Sequence, residues 1–343
     1  MKKSWQSRLV TTFYTYASLL LFVLVFVAFS LMSDKFMEVN NLMNIVRQAS
    51  SIGIVAVGMT FVLLVAGIDL SVGSVMFLGA CLAAKLMEQG LPIWGGFIVI
   101  LLTGLLVGFI NGYVSMRFRI MAFIVTLAML YVARGLGLMI TKTRETKLPD
   151  QFLKIGYTDF LGIPVPVLIF LLVLLAAHIT LKHTPFGRYL YAVGNDPEGA
   201  RKAGLPVNKI LVSVYVISGL AAAIGGIVAI SQLGTVAPKF GDQREFVVIA
   251  AAVLGGTSLF GGRGHVFPGT VLGAILILTI ENGLVIINAD PYIYPMVTAG
   301  IIFLAVFVDS MRNKQLEKLG RRKIRVAKET PPPASAASSN AAQ

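Results

Sequence analysis

Long apolar runs, too long for strands and too continuous for one-sided helices, limit what this chain can fold into more than any other feature. They lie near 14–32, 50–67, 72–88, 93–115 and 121–140, and again near 164–181, 209–230, 246–258, 266–287 and 292–309. About 20 helical residues span about 30 Å, the hydrocarbon thickness of a bilayer. In that medium each backbone N–H and C=O must be paired within the segment, so these runs must be helices. The expected fold class is an all-α polytopic membrane protein with about ten transmembrane helices. Composition agrees: 13% of the residues are charged and 56% hydrophobic, against about 25% charged in a soluble domain.

Two places break the pattern. The eighth run is short, and only Gly67-Ile68-Asp69-Leu70-Ser71 separates the second from the third. Both point to interrupted or tilted helices. The first run exceeds the 7–15 residues of a signal-peptide core and no A-x-A site follows it, so a retained first helix is expected. The single cysteine, Cys81, lies in an apolar run and reads as a packing residue.

The net charge of +13 could suggest nucleic acid, but its placement argues for a membrane surface. The segment from Ser310 onward holds eight Lys or Arg against two Glu, close to half of the total. Such a segment beside a last span is expected to sit near anionic lipid in the cytoplasm. With the N-terminus inside, the inner segments hold 19 Lys or Arg and the outer segments 9. The positive-inside rule therefore places both termini in the cytoplasm. The domain reading is a transmembrane unit over 1–309 with a long inner loop at 182–208. A basic tail follows over 310–343, low-complexity and expected to be disordered from about 329.

Gly108-Phe109-Ile110-Asn111-Gly112 in the fourth run echoes Thr279-Ile280-Glu281-Asn282-Gly283 in the ninth, and Thr126 and Thr298 follow each Asn by 15 and 16 residues. The two runs have opposite directions, so the echo reads as an inverted repeat of spans 2–5 and 7–10. Solute paths tend to lie between such halves.

The inner loop is neither short nor low-complexity. Asn195-Asp196-Pro197 is a helix start, a capping side chain followed by proline in the first turn. Glu198 suits the positive helix end, and Gly204 followed by Pro206 stops the helix after about two turns. A short capped helix on this face is either a docking element or a membrane-surface segment.

The stretch TPFGRYLYAVGNDPEGARKAGLPV (184–207) resembles the cytoplasmic coupling segment of the ribose/galactose-type permeases of ABC sugar importers. Agreeing segments occur in the right order: GIDLSVG (67–73), FIVTL (123–127) with Arg134-Gly135, IAAAVLGGTSLFGG (249–262) and Asn282-Gly283-Leu284. The resemblance covers roughly residues 40–310. Met121-Ala122 replaces prolines common in the family, and Asp242-Gln243-Arg244 replaces a more glycine-rich approach to Glu245-Phe246.

The resemblance implies a bacterial inner-membrane subunit that imports a monosaccharide (pentose, hexose or related polyol) by alternating access. Its implied partners are two ABC ATPase subunits, a periplasmic sugar-binding protein and a second permease copy or paralogue. ATP and Mg would be bound by the ATPases and no cofactor by this chain. ATPase coupling would fall to Gly187, Arg188, Asn195, Asp196, Glu198, Ala200, Arg201 and Gly204. The translocation path or gate would draw on Asp69, Ser71, Asn111, Thr126, Thr257, Ser258, Glu281, Asn282 and Thr298.

No catalytic constellation is present in the sequence. It has no G-x-x-x-x-G-K-[ST], so the chain is not expected to be the ATPase, and no H-E-x-x-H; its three histidines are isolated. Polar groups inside a membrane face a cavity or a partner. Asp69 reads either as a gate residue or as the N-cap of the third span, with Ser71 assisting. Glu281 and Asn282, with Asn111 opposite, read as path residues, and Arg134 as a snorkelling or carboxylate-paired side chain. The glycines permit close helix packing, but five within 255–264 require a turn. The competing reading is an ion-coupled secondary transporter of a small polar solute, with Asp69 and Glu281 as its carboxylates.

Overall fold

A computed structural model describes residues 5–311 except 302, 305, 306, 308 and 309, with the backbone alone for residues 5–18. The chain divides into two compact units, Met1–Asp309 and Ser310–Gln343. Only the first is treated below. The expected basic tail beyond Met311 lies outside the described residues, as does part of the tenth run.

Among the described residues the helices are α1 (Trp5–Met32), α2 (Val39–Leu64), α3 (Val72–Glu88), α4 (Ile93–Phe118), α5 (Ala122–Thr141) and α6 (Asp150–Tyr157). They continue with α7 (Val165–His183), α8 (Pro185–Asn195), α9 (Pro197–Lys202), α10 (Val207–Leu233), α11 (Arg244–Leu254) and α12 (Val271–Ile286), and residues 294–301 are again helical. Six segments are long and apolar enough to cross a membrane: α2, α4, α5, α7, α10 and Val266–Ile286, which contains α12. With 17 and 11 residues, α3 and α11 are shorter.

The burial pattern is that of a bundle with a greasy exterior. The apolar window of α2 is 83% buried and that of α5 only 22%, so α2 is the axis and α5 lies outside. On α4, Trp94, Ile98, Leu102, Leu106, Phe109 and Tyr113 recur every three or four residues along one exposed stripe. An apolar stripe facing outward suits lipid and not water. The opposite face of α4 carries Gly104 and Gly108 against Gly219 and Tyr215 of α10. A Cβ on Gly104 would strike the Gly219 carbonyl oxygen, and one on Gly219 the Gly104 carbonyl oxygen. Packing without side chains between two backbones is how helices associate in lipid, where apolar burial gives no advantage.

The bundle has two distinct ends. At one, the start of α2 meets the ends of α10 and α12, and α6 covers it. Arg47 pairs with Asp159 at 3.1 Å, Gln232 Nε2 donates to the Arg47 carbonyl at 3.1 Å, and Tyr157 Oη donates to the Gln232 carbonyl at 2.8 Å. Two short antiparallel ladders finish this end: β1 (Thr146–Lys147) with β4 (Thr235–Val236), and β2 (Asp159–Phe160) with β3 (Ile163–Pro164). At the other end lie the C-terminus of α2, the α8–α9 pair and the turn between α11 and α12.

The expected interruptions are real breaks. The chain leaves α2 through Ala66, with φ of 56°, and runs non-helically to Ser71. A second non-helical stretch, 237–243, leads from β4 into α11 through Gln243, with φ of 59°. These breaks come from opposite ends, yet the helices they start meet: a Cβ on Gly73 would strike the Gly241 carbonyl oxygen and lie 2.8 Å from Glu245 Oε2. The 11 residues of α11 rise only about 16 Å, half a bilayer. The N-terminus of α11 therefore begins inside the bundle.

Candidate functional site

Three groupings of polar residues follow from these breaks. The first surrounds Asp69. Ser71 begins α3 with no side-chain cap. Asp69, two residues earlier, accepts the Ser71 N–H at 3.0 Å and the Ser71 hydroxyl at 2.7 Å on Oδ1. Its Oδ2 accepts the Ser218 hydroxyl of α10 at 2.8 Å. Asn111 of α4 donates to Ser71 Oγ at 2.9 Å, and Thr126 of α5 donates to the Ile68 carbonyl at 3.2 Å. Asp69, Ser71, Asn111, Thr126 and Ser218 are all at most 1% exposed. A carboxylate in this setting is held by every donor it can reach, so the cluster ties the break between α2 and α3 to three further helices. Asp69 is more than a local cap, and Ser218 is a member that no sequence signal singled out.

The second grouping is at the α8 end. The expected cap is present: the Asp196 side chain accepts from Glu198 N–H and Gly199 N–H at 3.1 and 3.0 Å. Pro197 opens α9 and Gly204, with φ of 81°, follows its end. Ala200 is buried while Glu198 and Arg201 are exposed. A second helix lies before it. Thr184 caps α8 by accepting the Gly187 N–H at 3.3 Å, with Pro185 in the first turn. Gly187 is buried against the carbonyls of Thr180 and Leu181, and Arg188 is exposed.

The far end of α8 presses on the glycine turn. Tyr191 donates to the Gly264 carbonyl at 2.7 Å, and burial raises its phenol above the ordinary value, so it stays a neutral donor. Asn195 donates to the Tyr191 carbonyl at 2.9 Å. Gly262 N–H donates to the Leu64 carbonyl at 2.8 Å. A Cβ on Gly194 would strike that same carbonyl. Gly261 and Gly262 adopt φ of 80° and 68°, open to glycine at little cost. Thr257 and Ser258 belong to this turn: Ser258 N–H bonds the Arg263 carbonyl at 2.9 Å, and Thr257 Oγ1 is buried without a partner.

The third grouping is a cavity of about 1020 Å³ lined by Glu281, Asn282 and Thr298 together with Gln48, Asp242 and Arg244. Arg244 Nη1 lies 3.3 and 3.5 Å from the two Glu281 oxygens. Asn282 and Asn41 exchange two amide hydrogen bonds at 2.9 and 3.1 Å. Asn111 does not face Asn282 as expected: each is bonded within its own cluster. Helical periodicity gives the face a residue occupies but not which neighbour covers it. Of the two readings of Arg134, snorkelling fails and acidic neighbours are present: Asp242 and Glu245 act on it electrostatically, its Nη1 donates to the Phe240 carbonyl at 2.7 Å and the guanidinium sits 4.6 Å over the Phe77 ring. It fastens the approach to α11 instead of reaching the surface.

A capped helix pair is thus tied to a glycine turn, and broken helices border a cavity that carries polar side chains on a largely apolar wall. Residues 41–307 match the model of the family described as branched-chain amino acid transport system / permease component. The chain belongs to this permease family. Ribose import permease protein RbsC of Haemophilus influenzae is 41% identical over 286 residues, covering 82% of this permease and 88% of that protein. RbsC of Bacillus subtilis is 38% identical over 299 residues, with 85% and 91% covered. D-allose transport system permease protein AlsC of Escherichia coli is 35% identical over 297 residues, with 86% and 91% covered. No solved structure matches the permease.

Proposed function

We propose that this chain is the membrane-spanning subunit of an ABC importer for a monosaccharide. Its relatives are named for ribose, allose, fructose and arabinose transport. The ten crossings of this reading are α1, α2, α3, α4, α5, α7, α10, α11 and α12, with the tenth apolar run of the sequence as the last. On this reading the α8 end is cytoplasmic, in keeping with the excess of Lys and Arg in the inner segments, and the membrane is the bacterial inner membrane.

The observation that carries the mechanism is the contact between α8 and the glycine turn. Exposed Arg188, Glu198 and Arg201 offer a polar face to a separate ATPase subunit, while Gly187 and Ala200 seat the two helices on the permease. Movement of α8 is passed through Tyr191 and Gly194 to Gly262, Gly264 and Leu64. Leu64 ends α2, whose break runs through Asp69 to the start of α3, and the glycine turn joins α11 to α12. The two sides of the cavity thus share one handle. ATP and Mg act on the ATPase subunits, a periplasmic binding protein delivers the sugar, and a second copy or paralogue completes the translocation unit. Glu281, Asn282 and Thr298 contact the solute, whereas Asp69, Ser71, Asn111 and Thr126 hold the break in register.

The test is the Glu198→Ala, Arg201→Ala double variant in proteoliposomes with the ATPase and binding protein. A docking contact worth about 1.4 kcal/mol or more corresponds to a drop of about ten-fold in solute-stimulated ATP hydrolysis and uptake. Unchanged rates with a normally folded variant would falsify the coupling assignment.

A further inference from the structure

We infer that Arg244 and Glu281 together read the hydroxyl groups of the solute, and that Arg244 is a specificity-determining residue of the permease. The inference rests on the sugar-import reading and assigns its discriminating contact.

The geometry of the pair carries the argument. Arg244 opens α11 and Glu281 lies in α12, so the pair bridges the two helices that the glycine turn connects. Only Nη1 approaches the carboxylate, at 3.3 and 3.5 Å. A pair built to fasten two helices takes the parallel fork at about 2.7–2.9 Å. A guanidinium has five N–H donors, and no further hydrogen bond of the Arg244 side chain is present among the described residues. The side chains remain 39% and 28% exposed, and both line the cavity. They hold unspent donors and acceptors where a solute would pass.

That combination suits a polyol. Arginine only donates and an ionised carboxylate only accepts, so side by side they dictate the direction of each hydroxyl between them. Asp242 adds a second acceptor, which disfavours an anionic solute. Tyr294 and Phe246 also line the cavity, and a pyranose or furanose has apolar C–H faces to lay against an aromatic ring. A site that hydrogen-bonds a substrate hydroxyl rejects the analogue lacking it, because its own polar groups are then left unpaired. About 16 Å of α11 separates this pair from the glycine turn. Movement of α8 that changes the angle between α11 and α12 would therefore part the pair and release what it holds.

The experiment uses the whole importer, with its ATPase and binding protein, in proteoliposomes. Tritiated D-ribose, D-allose, D-fructose and L-arabinose are the probes, each paired with a monodeoxy analogue and supplied with saturating binding protein. The readout is the ratio of transport rates, sugar to deoxy analogue. Arg244→Gln and the near-isosteric Glu281→Gln should each lower that ratio at least about five-fold, with Arg244→Lys between them and the parent chain. If both rates fall together and the ratio holds, the pair is a helix fastener and the inference is wrong. If neither rate nor ratio changes, it is equally wrong. Should the unsubstituted importer carry none of the four sugars, the sugar-import reading itself fails, which the ratio measurement distinguishes from failure of Arg244 alone.

Discussion

Asp69 and Glu281 are both carboxylates inside an apolar bundle, and their surroundings differ in every respect that matters. Asp69 is 1% exposed, with donors at 2.7–3.0 Å on both oxygens. Glu281 borders a large cavity and meets one nitrogen at 3.3 and 3.5 Å. A fully satisfied buried carboxylate costs a great deal to disturb and can do little else. A loosely paired one on a cavity wall can exchange its partner for a solute. Intramembrane charge marks function by default, and under the proposed function these two sites divide it into holding the break and meeting the solute.

Asp69→Ala should give the largest effect. It leaves the Ser71 N–H, the Ser71 hydroxyl and the Ser218 hydroxyl without their acceptor in the interior, at roughly 1–3 kcal/mol each. The expected outcome is a loss of several kcal/mol and little folded protein, read by size-exclusion profile and thermal unfolding in detergent. An Asp69→Ala protein with a normal profile and full transport would break the comparison. Ser218→Ala is the graded version. It strips one donor from Oδ2 and should cost about 1–3 kcal/mol, with a lowered unfolding midpoint and a folded, transporting protein. By contrast, the Arg244 and Glu281 substitutions should alter sugar discrimination far more than the unfolding midpoint.

Much of this was legible in the residues and some was not. The apolar runs gave the helices, and Asn195-Asp196-Pro197 gave α9 with its cap. Thr184-Pro185 carries the same kind of signal for α8, a capping hydroxyl before a first-turn proline, and could have been read in the same way. Gly67–Ser71 announced a break, yet the meeting of Gly73 with Gly241 and Glu245 depends on how deep two breaks reach, which local sequence does not encode. The pairing of Arg244 with Glu281 was hidden for a similar reason. The two lie 37 positions apart across a turn whose left-handed glycines set the angle between α11 and α12. The sequence placed Asn111 opposite Asn282; the fold gives each its own partner.

The smallest expected effect concerns that last partner. Asn41 and Asn282 exchange two amide hydrogen bonds between the start of α2 and the cavity wall of α12. Asn41 Nδ2 also donates to the Phe36 carbonyl at 2.9 Å, so Asn41 is anchored from a second side. Interhelical hydrogen bonds in membrane proteins average about 0.6 kcal/mol and reach about 1.7 kcal/mol. Asn41→Ala, Asn282→Ala and the double variant should therefore yield a coupling energy of about 0.5–1.5 kcal/mol in thermal unfolding. Transport should not follow the same cycle. Asn282 borders the cavity and Asn41 does not, so Asn282→Ala should slow uptake more than Asn41→Ala even where their unfolding midpoints agree. Equal transport losses at equal stability would mean that the amide pair acts only as a brace, and Asn282 would then leave the cavity side of the comparison and join Asp69.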